Sequence, residues 1–180
     1  MTATKTPKKQ AIKTEKGRES ESVAQANVRA IGTLLTSSYG KGALTLVDED
    51  GPVFGVVRGA LPDSIQAQWN KEILELWAGL DEEENVFVVV FLDFEIRSID
   101  PSTLASALAS VSGGMGKCYG SFGTLDDKHV TFVVGLPGSS NVAVPATMLA
   151  DTIAYALSGA ATAKEKLDRA FVARKARTRK

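Results

Sequence analysis

The stretch Val86 to Arg97 constrains the fold more than any other part of the chain. Its even positions, Val86, Val88, Val90, Leu92, Phe94 and Ile96, are all apolar. The odd positions begin apolar (Phe87, Val89, Phe91) and finish charged (Asp93, Glu95, Arg97). Successive side chains of a strand point to opposite faces, so one face is expected to be buried throughout and the other only over its first half. A central strand that emerges at an open edge or cleft has this pattern. With 180 residues, 44% of them hydrophobic, the chain is long enough to build one domain and a sizeable core around it.

Elements can be placed on both sides of this strand. Ser22-Val23-Ala24-Gln25 has capping-box spacing, and Ala24, Val28, Ile31 and Leu35 follow as one helical stripe that Gly40 stops. Residues 43–47 and 53–58 flank Asp48-Glu49-Asp50-Gly51-Pro52, which reads as a hairpin. Pro62 suits the first turn of a helix over 63–78, with Ile65, Trp69, Ile73, Leu76 and Trp77 on one face and Gly79 as its stop. The acidic run Asp81-Glu82-Glu83-Glu84 then falls just past that helix, as a solvated loop.

Beyond the long strand, Asp100-Pro101 predicts an N-cap and first helical position. The helix it opens is thin, with Leu104, Leu108 and Val111 among Ala and Ser, and Gly113-Gly114 ends it. A second hairpin over 117–124 and 129–136 turns at Asp126-Asp127, in the register that sets Phe122 opposite Phe132 and His129 beside Leu125. A last helix from about Pro145 carries Leu149, Ile153 and Leu157, with Gly159 as a hinge before Leu167, Phe171 and an increasingly basic end. The order α-β-β-α-β-α-β-β-α gives an α+β class: a single domain with one mixed sheet of about five strands and helices packed on it. It suggests a helix-hairpin-helix unit used twice around the central strand.

The longest apolar run, Val86–Leu92, is far short of the ~20 residues that span a bilayer, and no apolar stretch follows the basic N-terminal residues as in a secretory signal. One cysteine and one histidine argue against a disulfide framework or a zinc cluster. A cytoplasmic protein without membrane contact, metal or cofactor is the expectation, or a virion component if a virus encodes it.

Lys+Arg and Asp+Glu number 21 each, and the resulting zero conceals a segregation. Residues 1–22 carry six bases (Lys5, Lys8, Lys9, Lys13, Lys16, Arg18) and three acids. Residues 161–180 carry eight (Lys164, Lys166, Arg169, Arg174, Lys175, Arg177, Arg179, Lys180) and two acids. The body, 23–160, holds seven bases against sixteen acids. The organisation is thus a basic tail too poor in apolar residues to fold alone, an acidic α+β domain, and a basic C-terminal helix or tail. Lysine- and arginine-rich ends bind phosphate backbones without sequence selectivity, and an acidic body confines that contact to the ends.

Catalytic sets are weaker. Ser112-Gly-Gly-Met-Gly-Lys117-Cys118 resembles a phosphate loop but has Val111 where the fingerprint needs glycine and Cys118 where it needs Ser or Thr. It also leaves a helix for a strand, so no helix N-terminus faces a phosphate. Cys118, His129 and Asp126 or Asp127 could make a thiol nucleophile and its base. The hairpin register puts Cys118 near Leu136 and His129 at the turn, roughly 20 Å apart at ~3.3 Å per residue. Asp93 and Glu95 share a strand face with Arg97, which suits either an acid–base pair or the solvated end of a strand. Trp69, Trp77, Phe87 and Phe91 read as core or interface anchors before they read as base-stacking platforms.

From Trp69-Asn70 through the long strand to Leu104 the chain resembles small bacterial proteins related to type III secretion chaperones, whose helix, sheet and terminal helix assemble as dimers. That resemblance implies a chaperone-like, protein-binding dimer. The leading expectation is a non-enzymatic structural or accessory protein, of the kind a virion or nucleoprotein contains, that self-associates through its body and contacts nucleic acid through its basic ends. A protein-binding module contacting helix 101–112 or helix 63–78 is the alternative. A small enzyme using Asp93, Glu95 and Arg97 is the third.

Overall fold

The computed structural model describes residues 21–40, 44–46, 53–57, 73–96, 99–114, 120–125 and 129–178. In chain order these form α1 (Val23–Tyr39), β1 (Leu44–Leu46), β2 (Phe54–Val57), β3 (Ile73–Leu80) and β4 (Val86–Glu95). Then come α2 (Pro101–Gly114), β5 (Gly120–Leu125), β6 (His129–Leu136), a short 3-10 turn at Ser139–Asn141, and α3 (Ala146–Thr178). The six strands lie in the order β1-β2-β3-β4-β6-β5, and each neighbouring pair is antiparallel. The α+β class with helices on a sheet therefore stands. The sheet has six strands where about five were expected, and it is antiparallel where a mixed sheet was expected.

β4 is central, paired with β3 on one side and β6 on the other. Its even residues Val86, Val88, Val90, Leu92 and Phe94, with Ile96 just beyond, are buried as the alternation predicts. They meet Leu76 and Ala78 of β3 and Phe132 and Val134 of β6 on the same face. The helices cover that face: α3 packs on β4 and β6, α1 on β1 to β3, and both α1 and α2 touch α3.

α1 starts where its capping box predicts. Ser22 Oγ accepts from Gln25 N at 3.1 Å, and Gln25 Oε1 accepts from Ser22 N at 3.0 Å. Gly40, at φ 84°, closes the helix in a conformation that side chains rarely adopt. Ser22→Ala should lower stability by about 1 kcal/mol in urea-unfolding measurements; no change would show that the cap is dispensable. The buried stripe is Asn27, Ile31, Leu35 and Tyr39, while Ala24 and Val28 are only half-buried.

The helix expected over 63–78 is corrected over its last six residues. Residues 73–78 belong to β3; those before them lie outside the described residues. An irregularity explains the misleading period: β3 pairs Ile73 with Leu92 but Glu75 with Phe91, so its register shifts between Ile73 and Glu75. Ile73 and Leu76, three residues apart, both reach the core across this shift, a spacing that imitates one helical turn. Trp77 faces the other way, and Gly79 is a strand residue opposite Phe87 rather than a helix stop. The acidic run is accordingly the turn of the β3–β4 hairpin, organised by Asp81, whose Oδ1 accepts from Glu83 N and Asn85 N. Among the described residues a helix-hairpin-helix unit is seen as α2-β5-β6-α3, while the second helix of the other unit would fall on residues outside them.

The second hairpin has the expected register, Phe122 opposite Phe132 and Leu125 opposite His129. Asp100 caps α2, its carboxylate accepting from Thr103 N at 2.9 Å. α3 runs unbroken through Gly159, so the hinge expected there is absent. Gly159 serves close approach instead: a methyl group on it would stand 2.7 Å from the Phe132 ring. Ala163 and Leu167 continue the core, and Phe171 stacks on Phe94 with ring centres 5.3 Å apart.

Candidate functional site

Most of the sequence-predicted basic site lies outside the described residues: Lys5, Lys8, Lys9, Lys13, Lys16, Arg18, Arg179 and Lys180. Lys164, Lys166 and Arg169 lie on α3, and its helical backbone continues through Arg174, Lys175 and Arg177. The two acids of this region are engaged locally. Lys164 pairs with Asp168 and Arg169 with Glu165, both one helical turn apart. Exposed helix pairs such as Arg169–Glu165 contribute only about 0.3–0.5 kcal/mol; Lys164 is half-buried in the other, and the two pairs neutralise four of the charges. Past Phe171 the chain carries Arg174, Lys175, Arg177, Arg179 and Lys180 and no acid, so positive charge is concentrated toward the helix end. Positive charge there also complements the helix macrodipole.

A second surface is the sheet face opposite the helices. Odd-numbered residues of β3, β4 and β6 form it, and none of the described helices packs on it. Trp77 and Phe91 lie with ring centres 4.5 Å apart, and His129 meets Phe91 edge-on at 6.3 Å. Trp77 Nε1 donates to Glu75 Oε2 at 2.9 Å, which holds the indole against the sheet. Phe87, Val89 and Val133 beside this cluster are half-buried. Phe91 is buried, as the core reading of it expects, and Phe87 and Trp77 are half-buried; by sequence alone Trp77 falls on a helix, so the face it shares with Phe91 is missed. The signal that could find it is the apolar odd positions of β4.

Two grooves lie among the described residues. One, of about 660 Å³, lies under α2, lined by Ile96, Ile99, Pro101, Leu104, Leu108 and Thr124 among others. The other, of about 460 Å³, lies between α1 and the β3–β4 turn.

Only part of each catalytic alternative falls among the described residues. Asp93 is exposed at the end of β4, Glu95 lies opposite His129 in the ladder, and Arg97 is outside the described residues. Cys118, Asp126 and Asp127 also lie outside them, as does the glycine-rich loop from Met115 onward. Among the described residues no group of three or more His, Cys, Asp or Glu converges as a metal site would require, and no helix is long and apolar enough to cross a membrane. Burial raises the Tyr39 hydroxyl above its ordinary pKa, and that residue belongs to the core.

No protein-family model matches the chain, and none of the curated proteins compared with it does. Among solved structures, its fold is similar to that of YbjN from E. coli, provisionally described as a transcription regulator. The TM-score is 0.53 at 10% identity, over 79% of this chain and 91% of that one. A likeness at that identity concerns the fold alone.

Proposed function

We propose that this protein is a non-enzymatic accessory component that holds nucleic acid by its phosphate backbone through its basic ends, while its α+β body self-associates. The observation that carries this reading is the shape of α3. It is anchored in the core as far as Phe171 and then continues as a helical end bearing Arg174, Lys175 and Arg177. A cationic helical end on an acidic body would present charge to a polyanion while the body stays clear of it. The reading places the protein in the cytoplasm, or in a particle if a virus encodes it.

Fluorescence anisotropy of labelled single- and double-stranded oligonucleotides across a salt series tests it. The full-length protein should bind with steep salt dependence. Arg174→Gln, Lys175→Gln and Arg177→Gln together should reduce the slope of log K against log salt by up to about 2.7, at ~0.9 for each duplex phosphate that is no longer neutralised. Absence of binding at low salt, or an unchanged slope, overturns the reading.

A second reading, a protein-binding module, is favoured by the Trp77–Phe91–His129 cluster on the sheet face opposite the described helices. Aromatic anchors on such a face are typical of interface centres. It predicts loss of a stable partner or of self-association on Trp77→Ser, with nucleic acid irrelevant.

A further inference from the structure

We propose that the basic N-terminal segment, residues 1–20, docks back onto its own body in the groove between α1 and the β3–β4 turn. The floor of this groove is apolar, from Ala24, Val28 and Leu80, and its rim carries Gln25, Arg29, Asp81 and Glu84. Glu82 and Glu83 extend the rim, and all four carboxylates of the turn are exposed. Residues 1–20 hold six cations, two carboxylates and one large aliphatic side chain, Ile12. Chemistry on the two sides is therefore complementary: one apolar anchor for the floor and an excess of positive charge for an acidic rim.

The point of entry makes the contact local. Arg29, itself part of the rim, pairs with Glu21 at 2.6 Å, so the chain joins α1 at the groove's edge. The ten residues from Ile12 to Ser22 reach at most about 33 Å when extended, ample for a groove lined by the first two turns of α1. A short tether of this kind gives an effective concentration on the order of millimolar. The other basic end is poorly placed to compete within one molecule. The start of α3 adjoins α1, where Asn27 bonds the backbone just ahead of it, and Arg174 lies 28 residues further on, about 42 Å at ~1.5 Å per residue. Docking withdraws the N-terminal cations from other anions, so it goes beyond the nucleic-acid reading and does not depend on it.

The test uses the full chain with Ala11→Cys carrying a nitroxide, in a Cys118→Ser background, and ¹⁵N-labelled protein without nucleic acid. The amide signals of Val28, Leu80, Glu82 and Glu83 should be selectively lost while those beyond Leu167 persist. At ~1 M salt, where the screening length is ~3 Å, they should return. Lys13→Glu, Lys16→Glu and Arg18→Glu should also restore them, and adding Glu82→Lys and Glu83→Lys should bring the loss back. Asp81 is left intact because it organises the turn. Full signals in the unmodified tail, or a loss indifferent to charge reversal, overturn the proposal. So does a loss seen only when nitroxide-bearing unlabelled chain is mixed with ¹⁵N chain, which assigns the contact to a second copy.

Discussion

Phe132→Ala should destabilise the protein by about 3–5 kcal/mol, the upper range for emptying a well-packed site. Phe132 is fully buried in the middle of β6, facing Val90 across the ladder on one side and Phe122 on the other. Two glycines enclose its ring. A methyl group on Gly120 would come to 2.2 Å of it and one on Gly159 to 2.7 Å, while Phe122 lies 5.1 Å away centre to centre. The ring cannot retreat from one glycine without approaching the other. Gly159→Ala should accordingly cost about 1–3 kcal/mol through overpacking, despite alanine's higher helix propensity. Combined with Phe132→Leu, which shortens the obstruction, Gly159→Ala should cost markedly less than in the parent. Urea unfolding followed by tryptophan fluorescence and circular dichroism measures the three single variants and the Phe132→Leu/Gly159→Ala double variant. Strict additivity, or a Phe132→Ala cost under about 1 kcal/mol, would show that the site yields and that the contact is not a lock.

Asn27→Leu should cost about 2–4 kcal/mol although it makes the core more apolar. Asn27 is a buried polar residue in the inward stripe of α1. Its Nδ2 donates to Ser139 O at 2.9 Å and Val142 O at 3.4 Å, and its Oδ1 accepts from Val144 N at 2.7 Å. One side chain thus satisfies the backbone of the irregular segment between β6 and α3. Leucine would leave those groups buried without partners, each worth ~1–3 kcal/mol. The same segment is held from the sheet side by Ser139, whose Oγ accepts from Val86 N and donates to Leu136 O, both at 2.6 Å. Hydrogen exchange should localise the damage: in Asn27→Leu, amides of 138–144 should lose protection before those of β4. A variant as stable as the parent would mean that water replaces the amide.

What the sequence conveys well is local chemistry. Capping groups at Ser22 and Asp100, the register around Phe122 and Phe132, and the alternation along β4 each depend on residues close in sequence or on a strict period. Its failures are tertiary. Ile73 and Leu76 imitate a helix because the register shift is a property of the pairing with β4, which β3 alone does not encode. Gly159 looks like a hinge because the ring that requires it comes from β6. Asn27 has no place in the sequence reading because its partners lie more than 110 positions away. The candidate interface divides the same way. Charge segregation is visible from composition, while the meeting of Trp77, Phe91 and His129 needs three strands in register.

That α3 follows all the described strands in chain order has a consequence for biosynthesis. It covers β4 and β6, so the sheet can be complete through Leu136 while its apolar face still lacks its principal cover. At translation rates of about 5–20 residues per second, the 35 residues from Leu136 to Phe171 take roughly 2–7 s to appear. For that interval the nascent chain displays Val88, Val90, Phe132 and Val134 side by side, the kind of surface that holdase chaperones bind and that drives neighbouring nascent chains together. Slow translation over 137–171, or crowding of ribosomes on one message, should therefore lower the yield of native protein without changing the stability of the molecules that finish.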